Sequence, residues 1–584
     1  MSELQMSQLQ LEPRSGRKRK RGSLFWTGII LFLLLCTVLV TIYIGYPFAS
    51  EEEVSYFEGE NPILFNQEQM GNALVQDGSI YLPYSFVQSQ IDEALYYEEA
   101  SQSIILTTTD KVVEMPSNSL TYFINQEPVQ LRMPVFHIID DEPYISLAII
   151  EHYYPIKVSI LGNNGLVWIE QDGDSYQSAQ IVKEIPREAY TKLRTEPTYQ
   201  SPYYIEVEEG EQVRIEREDE DFYFVRNNQG IAGYIEKEFV EAGEDVVISV
   251  EKEQQFSEPL QIDEPIHLTW EAVYTSNPNT ELLPEMPGVH VVSPTWFSLA
   301  NENGDVANLG SIEYSNWAHE RGFQVWGLFS NSFDPALTHE VFNTFEKREY
   351  VIRQLLHFSQ LYHLDGINLD IENVNQEDGP LVTQFVREAA PYFHEAGLVL
   401  SMDITFISTS GNWSAFYERD KLADLVDYLI VMAYDEHWAT SPIAGSVASL
   451  PWVETNLQTL LEVVPPDRLL LGVPLYTRLW KEEMTAEGTE VSSEALSMAQ
   501  AKEWVDSRGI TPTYDPVSGQ NYAEWVDQST GAIYKMWLED AVSLEKRADL
   551  AENYGLAGIG TWSRYFADET AWTALQMEES EEEI

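Results

Sequence analysis

The sequence predicts an α/β protein: a C-terminal (β/α)8 (TIM) barrel preceded by a small all-β barrel, an α+β repeat domain and one transmembrane helix. Three observations carry that prediction. Residues 24–46 form one long apolar run without a charged side chain. Residues 61–243 break into short alternating runs punctuated by Gly, Asn and Pro, the pattern of small β-rich domains. From residue 265 onward, apolar runs of strand length alternate with segments of helical period, as in a parallel sheet covered by helices.

At 584 residues the chain exceeds what one hydrophobic core holds, and its length suggests three or four domains. With 44% hydrophobic and 22% charged residues it has a globular balance. Its 34 Lys and Arg stand against 95 Asp and Glu, a net charge of -61 that repels nucleic acid and favours solubility. That acidity suits saline or alkaline surroundings, and equally an ordinary acidic exported protein. The single Cys36 excludes an intrachain disulfide, and its place in the apolar run assigns it to packing.

Residues 1–23 form a basic tail, with Arg14, Arg17, Lys18, Arg19, Lys20 and Arg21 against Glu3 and Glu12. The run at 24–46 that follows is long enough to span a hydrocarbon core as a helix. Basic residues before such a helix orient the N-terminus to the cytoplasm and place the rest outside. The alternative, a cleaved signal peptide, has a shorter apolar core with small residues before the cut. The expected location is therefore the cell membrane, single-pass, with the bulk of the chain extracellular. A lipid anchor on Cys36 is not expected, because Leu35 is bulky and the apolar run continues past the Cys.

Residues 61–172 contain a weak internal duplication. Ile80-Tyr81-Leu82-Pro83 with Phe86-Val87 is answered by Pro143-Tyr144-Ile145-Ser146 with Ile149-Ile150, each followed by a small helix and a hairpin. This segment resembles the copper amine oxidase N-terminal-like domain of bacterial surface proteins. No copper is implied, since His137 and His152 show no ligand spacing; a spacer or wall-contact role is expected. Residues 188–243 alternate in short runs at 203–207, 212–217, 221–226 and 231–235, broken by Gly210, Asn227-Asn228 and Gly230. Arg194-Thr195-Glu196-Pro197 and Gly233-Tyr234-Ile235 resemble a bacterial SH3 domain, a small barrel that often contacts cell-wall peptides. Plain spacing is the other reading. An acidic linker at 241–264 leads out of it.

From residue 265 to 576 we read eight strand-then-helix units, with strands at 266–274, 290–294, 324–329, 366–372, 399–404, 428–434, 469–476 and 557–562. In a (β/α)8 barrel the chemistry sits at the C-terminal strand ends. Glu372, Tyr434 and Trp562 then end strands four, six and eight. An acidic tail, 577–584, closes the chain as a solvated end.

The fourth strand is the informative one. In Asp365-Gly366-Ile367-Asn368-Leu369-Asp370-Ile371-Glu372, alternation puts Ile367, Leu369 and Ile371 on one face and Asn368, Asp370 and Glu372 on the other. A solvated strand face would explain the polar set, but helical segments at 346–363 and 381–396 flank the strand, and a parallel sheet has no wet face. Two carboxylates aimed into a barrel interior are costly unless they do chemistry.

The same residues resemble the signature of glycoside hydrolase family 18, Asp-Gly-x-Asp-x-Asp-x-Glu, with Asn368 in place of the second Asp. Met432-Ala433-Tyr434-Asp435 matches the family's Met-x-Tyr-Asp, and 471–476 with Trp480 is similar to its seventh strand. Trp537, Glu539-Asp540, Ser543 and Lys546 resemble the helix leading into its last strand, and 556–562 resembles that strand, ending in the family's tryptophan, Trp562.

The resemblance implies substrate-assisted hydrolysis of a β-1,4 bond at N-acetylglucosamine, with the substrate acetamide as nucleophile. Glu372 would protonate the leaving oxygen, Asp370 would orient the acetamide and stabilise its positive charge, and Tyr434 would hydrogen-bond the acetamide carbonyl. Burial beside Asp370 should raise the pKa of Glu372. Asn368 departs from the pattern, because an amide cannot take up charge as an Asp beside Asp370 could. The exchange Asn368→Asp should therefore change the pH profile more than substrate choice. Trp562 is expected as an aromatic floor under the sugar, with core packing as its alternative. Trp296, Asp435 and Trp438 are further cleft candidates, each equally able to be structural. No His pair has metal-ligand spacing and no Gly-rich phosphate loop stands out, so neither metal nor other cofactor is expected.

The sequence thus predicts a membrane-anchored extracellular glycosidase acting on N-acetylglucosamine-containing glycan. Anchor and wall-type modules favour peptidoglycan, with chitin as the runner-up. A non-hydrolytic glycan-binding protein and an envelope scaffold are the competitors from other classes; the acid Glu372 argues against the first, and wall function left intact by a substitution of Glu372 would point to the second.

Overall fold

The computed structural model describes residues 21–45, 49–131, 133–162, 164–182, 187–250, 265–486 and 488–577. Most of the basic tail, the acidic tail from 578 and the later part of the acidic linker lie outside the described residues. The chain divides into two compact units, Met1–Phe86 with Ser146–Lys252, and Val87–Ile145 with Glu253–Ile584. The repeat segment at 61–172 is thereby split between them.

In the first unit, helix α1 (Arg21–Gly45) is exposed along its apolar length, and its stretch Phe25–Tyr43 is long and apolar enough to cross a membrane. Strand Pro62–Phe65 pairs in parallel with Leu166–Gln171, which also pairs antiparallel with Ile156–Leu161. A seven-stranded antiparallel sheet follows, containing the expected strands as Tyr203–Glu206, Gln212–Asp219, Phe222–Asn227 and Ala232–Glu236. Its core is Ile181, Leu193, Val213, Val225 and Ile235. The sheet corrects the expected linker: Val240–Val247 is a strand paired with Ser175–Ile181. Its side chains are mostly exposed, so little apolar signal marked it; the backbone ladder holds it, with Val240 in the core and Ser178 donating to the Glu244 carbonyl.

The second unit is built on the barrel. Its strands are β1 (Ile266–Glu271), β2 (Val291–Pro294), β3 (Gln324–Ser330), β4 (Gly366–Asp370), β5 (Val399–Ile404), β6 (Tyr428–Met432), β7 (Leu469–Pro474) and β8 (Gly558–Trp562). All neighbours run parallel, and the ring closes through β8 with β1 and β2 with β3. Alternation sorts each strand into two apolar layers. Leu268, Trp270, Trp326, Leu328, Ile430 and Leu470 fill the barrel interior. Ile367, Leu369, Leu400, Val431 and Leu471 face outward into the helical layer.

That outer layer includes α2 (Phe345–Tyr362) and α3 (Gly379–Glu395), on either side of β4 in sequence. Helix α2 buries Val351, Ile352 and Leu355, spaced for one helix face, and ends at His363 in the left-handed region (φ 53). Gly366 starts β4 where only a hydrogen fits, since a Cβ there would stand 2.8 Å from the Val399 carbonyl oxygen.

Two additions flank the barrel. Strands between Tyr96 and Gln130 form a five-stranded antiparallel sheet whose Ile105 and Val112 join the helical-layer core. There Arg348 of α2, fully buried, donates to both Glu388 oxygens at 2.8 Å and to Glu98 Oε1 at 3.1 Å. After β7, a second five-stranded sheet with strands from Tyr476 to Leu538 is inserted before helix α4 (Ala541–Asn553). Trp537 therefore lies in a strand, not in the helix before the last strand; Asp540 caps that helix by accepting from the Val542 and Ser543 amides.

Candidate active site

β4 carries the site. Its inward face presents Asn368 and Asp370 side by side, while Ile367 and Leu369 anchor the opposite face among the helices. Asn368 is fully buried and uses its whole amide. Oδ1 accepts from Trp270 Nε1 (3.0 Å) and Ser293 Oγ (3.2 Å), and Nδ2 donates to Ser401 Oγ (3.1 Å) and Asp403 Oδ1 (2.9 Å). Partners from three other strands, β1, β2 and β5, thus fix one side chain. Asn368 is a connector inside the barrel rather than a residue exposed to a ligand.

Asp370 is 9% exposed, and its Oδ1 is buried without a hydrogen-bond partner. Burial pushes its carboxyl up to about 7. Glu372 lies two residues beyond the observed end of β4, because its backbone leaves the sheet ladder for another partner. The Asn331 side chain, just past β3, takes both its groups: Asn331 Nδ2 donates to the Glu372 carbonyl at 2.7 Å and Oδ1 accepts from the Glu372 amide at 3.1 Å. Tyr417 donates to the Ile371 carbonyl at 2.8 Å, and Asn373, left-handed at φ 52, donates to the Phe333 carbonyl. Burial, then the charges of Asp370 and Asp435, hold the Glu372 carboxyl well above the ordinary range. A carboxyl held above its ordinary range keeps its proton to higher pH, which is what a general acid needs.

Tyr434 stands two residues beyond β6, again past the expected strand end. Burial raises its hydroxyl pKa first, and Asp403, Tyr476, Glu372 and Asp370 add to that, which puts it among the same carboxylates. Asp435 follows at φ 61, a strained conformation for a residue with a Cβ. Its Oδ1 accepts from Tyr476 OH (2.7 Å) and Arg478 (3.3 Å), both from the inserted sheet. Asp435 thus ties the β6 loop to that insertion, and it remains exposed at the rim.

The aromatic candidates separate. Trp562 is partly buried at the end of β8, its ring tilted 57° and 5.8 Å from Trp270, above the interior layer. Trp438 is 52% exposed on the loop after β6. Trp296 is a correction: it is 1% exposed, packs against Phe297, Tyr314 and Tyr362, and donates to Asn277 Oδ1 at 2.6 Å. It is a core residue and offers no face to a ligand.

Sequence reasoning missed Asn331 and Asp403. Asp403 is 2% exposed on β5, facing inward with Ser401. Its signal was available in the Ser401, Asp403 alternation inside an otherwise apolar strand. Asn331 gave none beyond being polar after an apolar run. Among the described residues, no group of three or more His, Cys, Asp or Glu is arranged to hold a metal ion.

Residues 326–567 match the family model Glycosyl hydrolases family 18, and residues 64–169 match the Copper amine oxidase N-terminal domain. The uncharacterized glycosylase YvbX of Bacillus subtilis is 23% identical over 47% of this chain and 80% of its own length. The cortical fragment-lytic enzyme of Bacillus subtilis is 23% identical over 43% of this chain, and the match spans 58% of that protein. Di-N-acetylchitobiase of Rattus norvegicus is 28% identical over 46% of this chain and 76% of its own.

Proposed function

The barrel is a glycosyl hydrolase domain of family 18, and from that premise we propose that the chain is a membrane-anchored wall glycosidase. It cleaves β-1,4 bonds at N-acetylglucosamine with the substrate acetamide as nucleophile. The observation that carries this reading is the pair Asp370 and Glu372 at the mouth of the barrel. Both keep raised pKa values, and Glu372 has its backbone clamped by Asn331.

Glu372 gives its proton to the leaving oxygen and afterwards takes one from water. Asp370 faces the acetamide and, ionised, balances the positive charge that develops there. The Tyr434 hydroxyl, which keeps its proton through the working range, donates to the acetamide oxygen. Trp562 lies under the sugar and Trp438 lines the rim. Because Glu372 must be protonated, the rate falls as pH rises through its raised pKa.

Peptidoglycan is the favoured substrate. An apolar N-terminal helix long enough to cross a membrane supports an envelope location, and one relative is named a cortical fragment-lytic enzyme. In this reading residues 1–23 are cytoplasmic, and the segments 61–172 and 188–243 are a spacer and a wall-contacting SH3-like module. The second reading, chitin oligomers, is favoured by the chitobiase relative.

The test is glycan release from purified peptidoglycan and from chitin oligomers by the full chain in detergent, beside Glu372→Gln. We expect release from peptidoglycan and a loss of about 10²–10⁴-fold in the variant. Release from chitin oligomers alone selects the second reading. Binding without release from either would replace hydrolysis with glycan binding.

A further inference from the structure

β4 carries an amide, Asn368, where the family's signature has a carboxylate, and the neighbouring strand carries a carboxylate that no signature predicts. The register of β4 with β5 runs Gly366 to Val399, Ile367 to Leu400, Asn368 to Ser401 and Leu369 to Met402. The next step of that register sets Asp370 beside Asp403. Both have inward parity, and adjacent strands lie about 4.8 Å apart. Asn368 is locked by Trp270 and Ser293 on its oxygen, so its donor end is fixed toward Asp403 Oδ1 at 2.9 Å. That leaves the second oxygen of Asp403 for a proton and the unpartnered Asp370 Oδ1 to meet it.

We propose that Asp403 is a positioning residue for the reaction: its carboxyl group shares one proton with Asp370 and retains that proton while Asp370 faces the substrate as a carboxylate. The inference rests on the glycosidase reading for its catalytic meaning. Two buried carboxyls side by side cannot both ionise cheaply. Proton and charge balance follow. Before cleavage Glu372 holds its proton and the pair carries one negative charge. The proton of Glu372 then leaves with the departing oxygen, the Asp370 carboxylate faces the acetamide cation, and the proton of the pair stays on Asp403. Asn368 keeps its amide hydrogens throughout and orients Asp403.

The electrostatics agree with that geometry. Burial first, then Asp370 and Glu372, push Asp403 well above the carboxylate range, while the Asn368 hydrogen bond lowers it. The other groups facing the pair are Glu372 past β4, Tyr417 with Arg419 past β5, and Tyr434 past β6. Both tyrosines are raised above their ordinary values and so hold their protons across the range in question.

The experiment is a reciprocal exchange in the full chain: Asp403→Asn, Asn368→Asp, and the two together, each assayed for kcat, KM and pH profile, and for unfolding against pH without substrate. Asp403→Asn should lower kcat by about tenfold or more, change KM by less than about threefold, and move a limb of the profile. The double exchange, which keeps one carboxyl and one amide in contact, should recover most of the loss. A kcat within about threefold of wild type with an unmoved profile overturns the proposal, as does a double exchange no better than Asp403→Asn.

The unfolding arm needs no substrate. Raised carboxyl pKa values mean that the folded state binds more protons than the unfolded one, so wild type loses stability as pH rises from about 4 to about 7. Asp403→Asn should flatten that fall, and an unchanged slope overturns the shared proton. If Asp403→Asn does not fold, the slope of the double exchange, expected to match wild type, decides. A wild-type chain inactive on every N-acetylated glycan ends the glycosidase reading, and the slope still decides the shared proton.

Discussion

Asn331 places Glu372 without touching any bond that breaks. Its amide replaces the sheet partner that β4 loses at its end, donating at 2.7 Å and accepting at 3.1 Å, and also donates to Thr338 Oγ1 at 2.8 Å. Asn331→Ala should therefore lower kcat by about 10²-fold with KM little changed, because it lets the acid drift by a fraction of an ångström. Steady-state kinetics on N-acetylglucosamine oligomers check this, and an unchanged kcat would mean that Tyr417 and Asn373 hold the loop alone. Glu372, Asp370 and Tyr434 could be proposed from the sequence because their spacing forms a signature. Asn331 and Asp403 could not, since one polar residue at the end of an apolar strand, or one more inside it, has no spacing to read.

Among elements, the strand ends and the additions moved most. β4 and β6 were read to Glu372 and Tyr434 and stop at Asp370 and Met432. Periodicity continues past the point where neighbouring backbones cease to pair, so a sequence overestimates a strand that runs into an ordered loop. The inserted sheet from Tyr476 to Leu538 was absorbed into a strand-helix unit, yet it supplies Tyr476 and Arg478 to Asp435. The sheet at 96–130 meets α2 and α3 through the buried cluster of Arg348, Glu98 and Glu388. Arg348→Ala strands two buried carboxylates and should cost about 3–5 kcal/mol. Urea unfolding measures it; a loss below about 1 kcal/mol would show that Glu98 and Glu388 protonate or rehydrate freely.

For the whole molecule, the proposed anchor is α1. If Phe25–Tyr43 crosses a membrane, the full chain sediments with membranes, withstands salt washing and is released by detergent, whereas residues 47–584 stay in the soluble fraction. Fractionation with an antibody to the barrel reads both. Membrane recovery of the truncated chain would move the anchor elsewhere. The net charge of -61 predicts that salt leaves this partition unchanged, since an acidic surface adds no attraction to anionic lipid.

The sequence by itself determined the (β/α)8 barrel, the place of β4 in it and the pair of carboxylates, Asp370 and Glu372, that β4 carries. These follow from periodicity and local spacing, which alternation along one strand and turns along one helix make visible in a single chain. Only the tertiary structure decided that Trp296 is core, that residues 240–247 are strand, that Asn331 clamps Glu372 and that Asp403 stands beside Asp370. Each depends on which strands lie next to each other and in what register, and that information arises when the barrel closes rather than along any one segment.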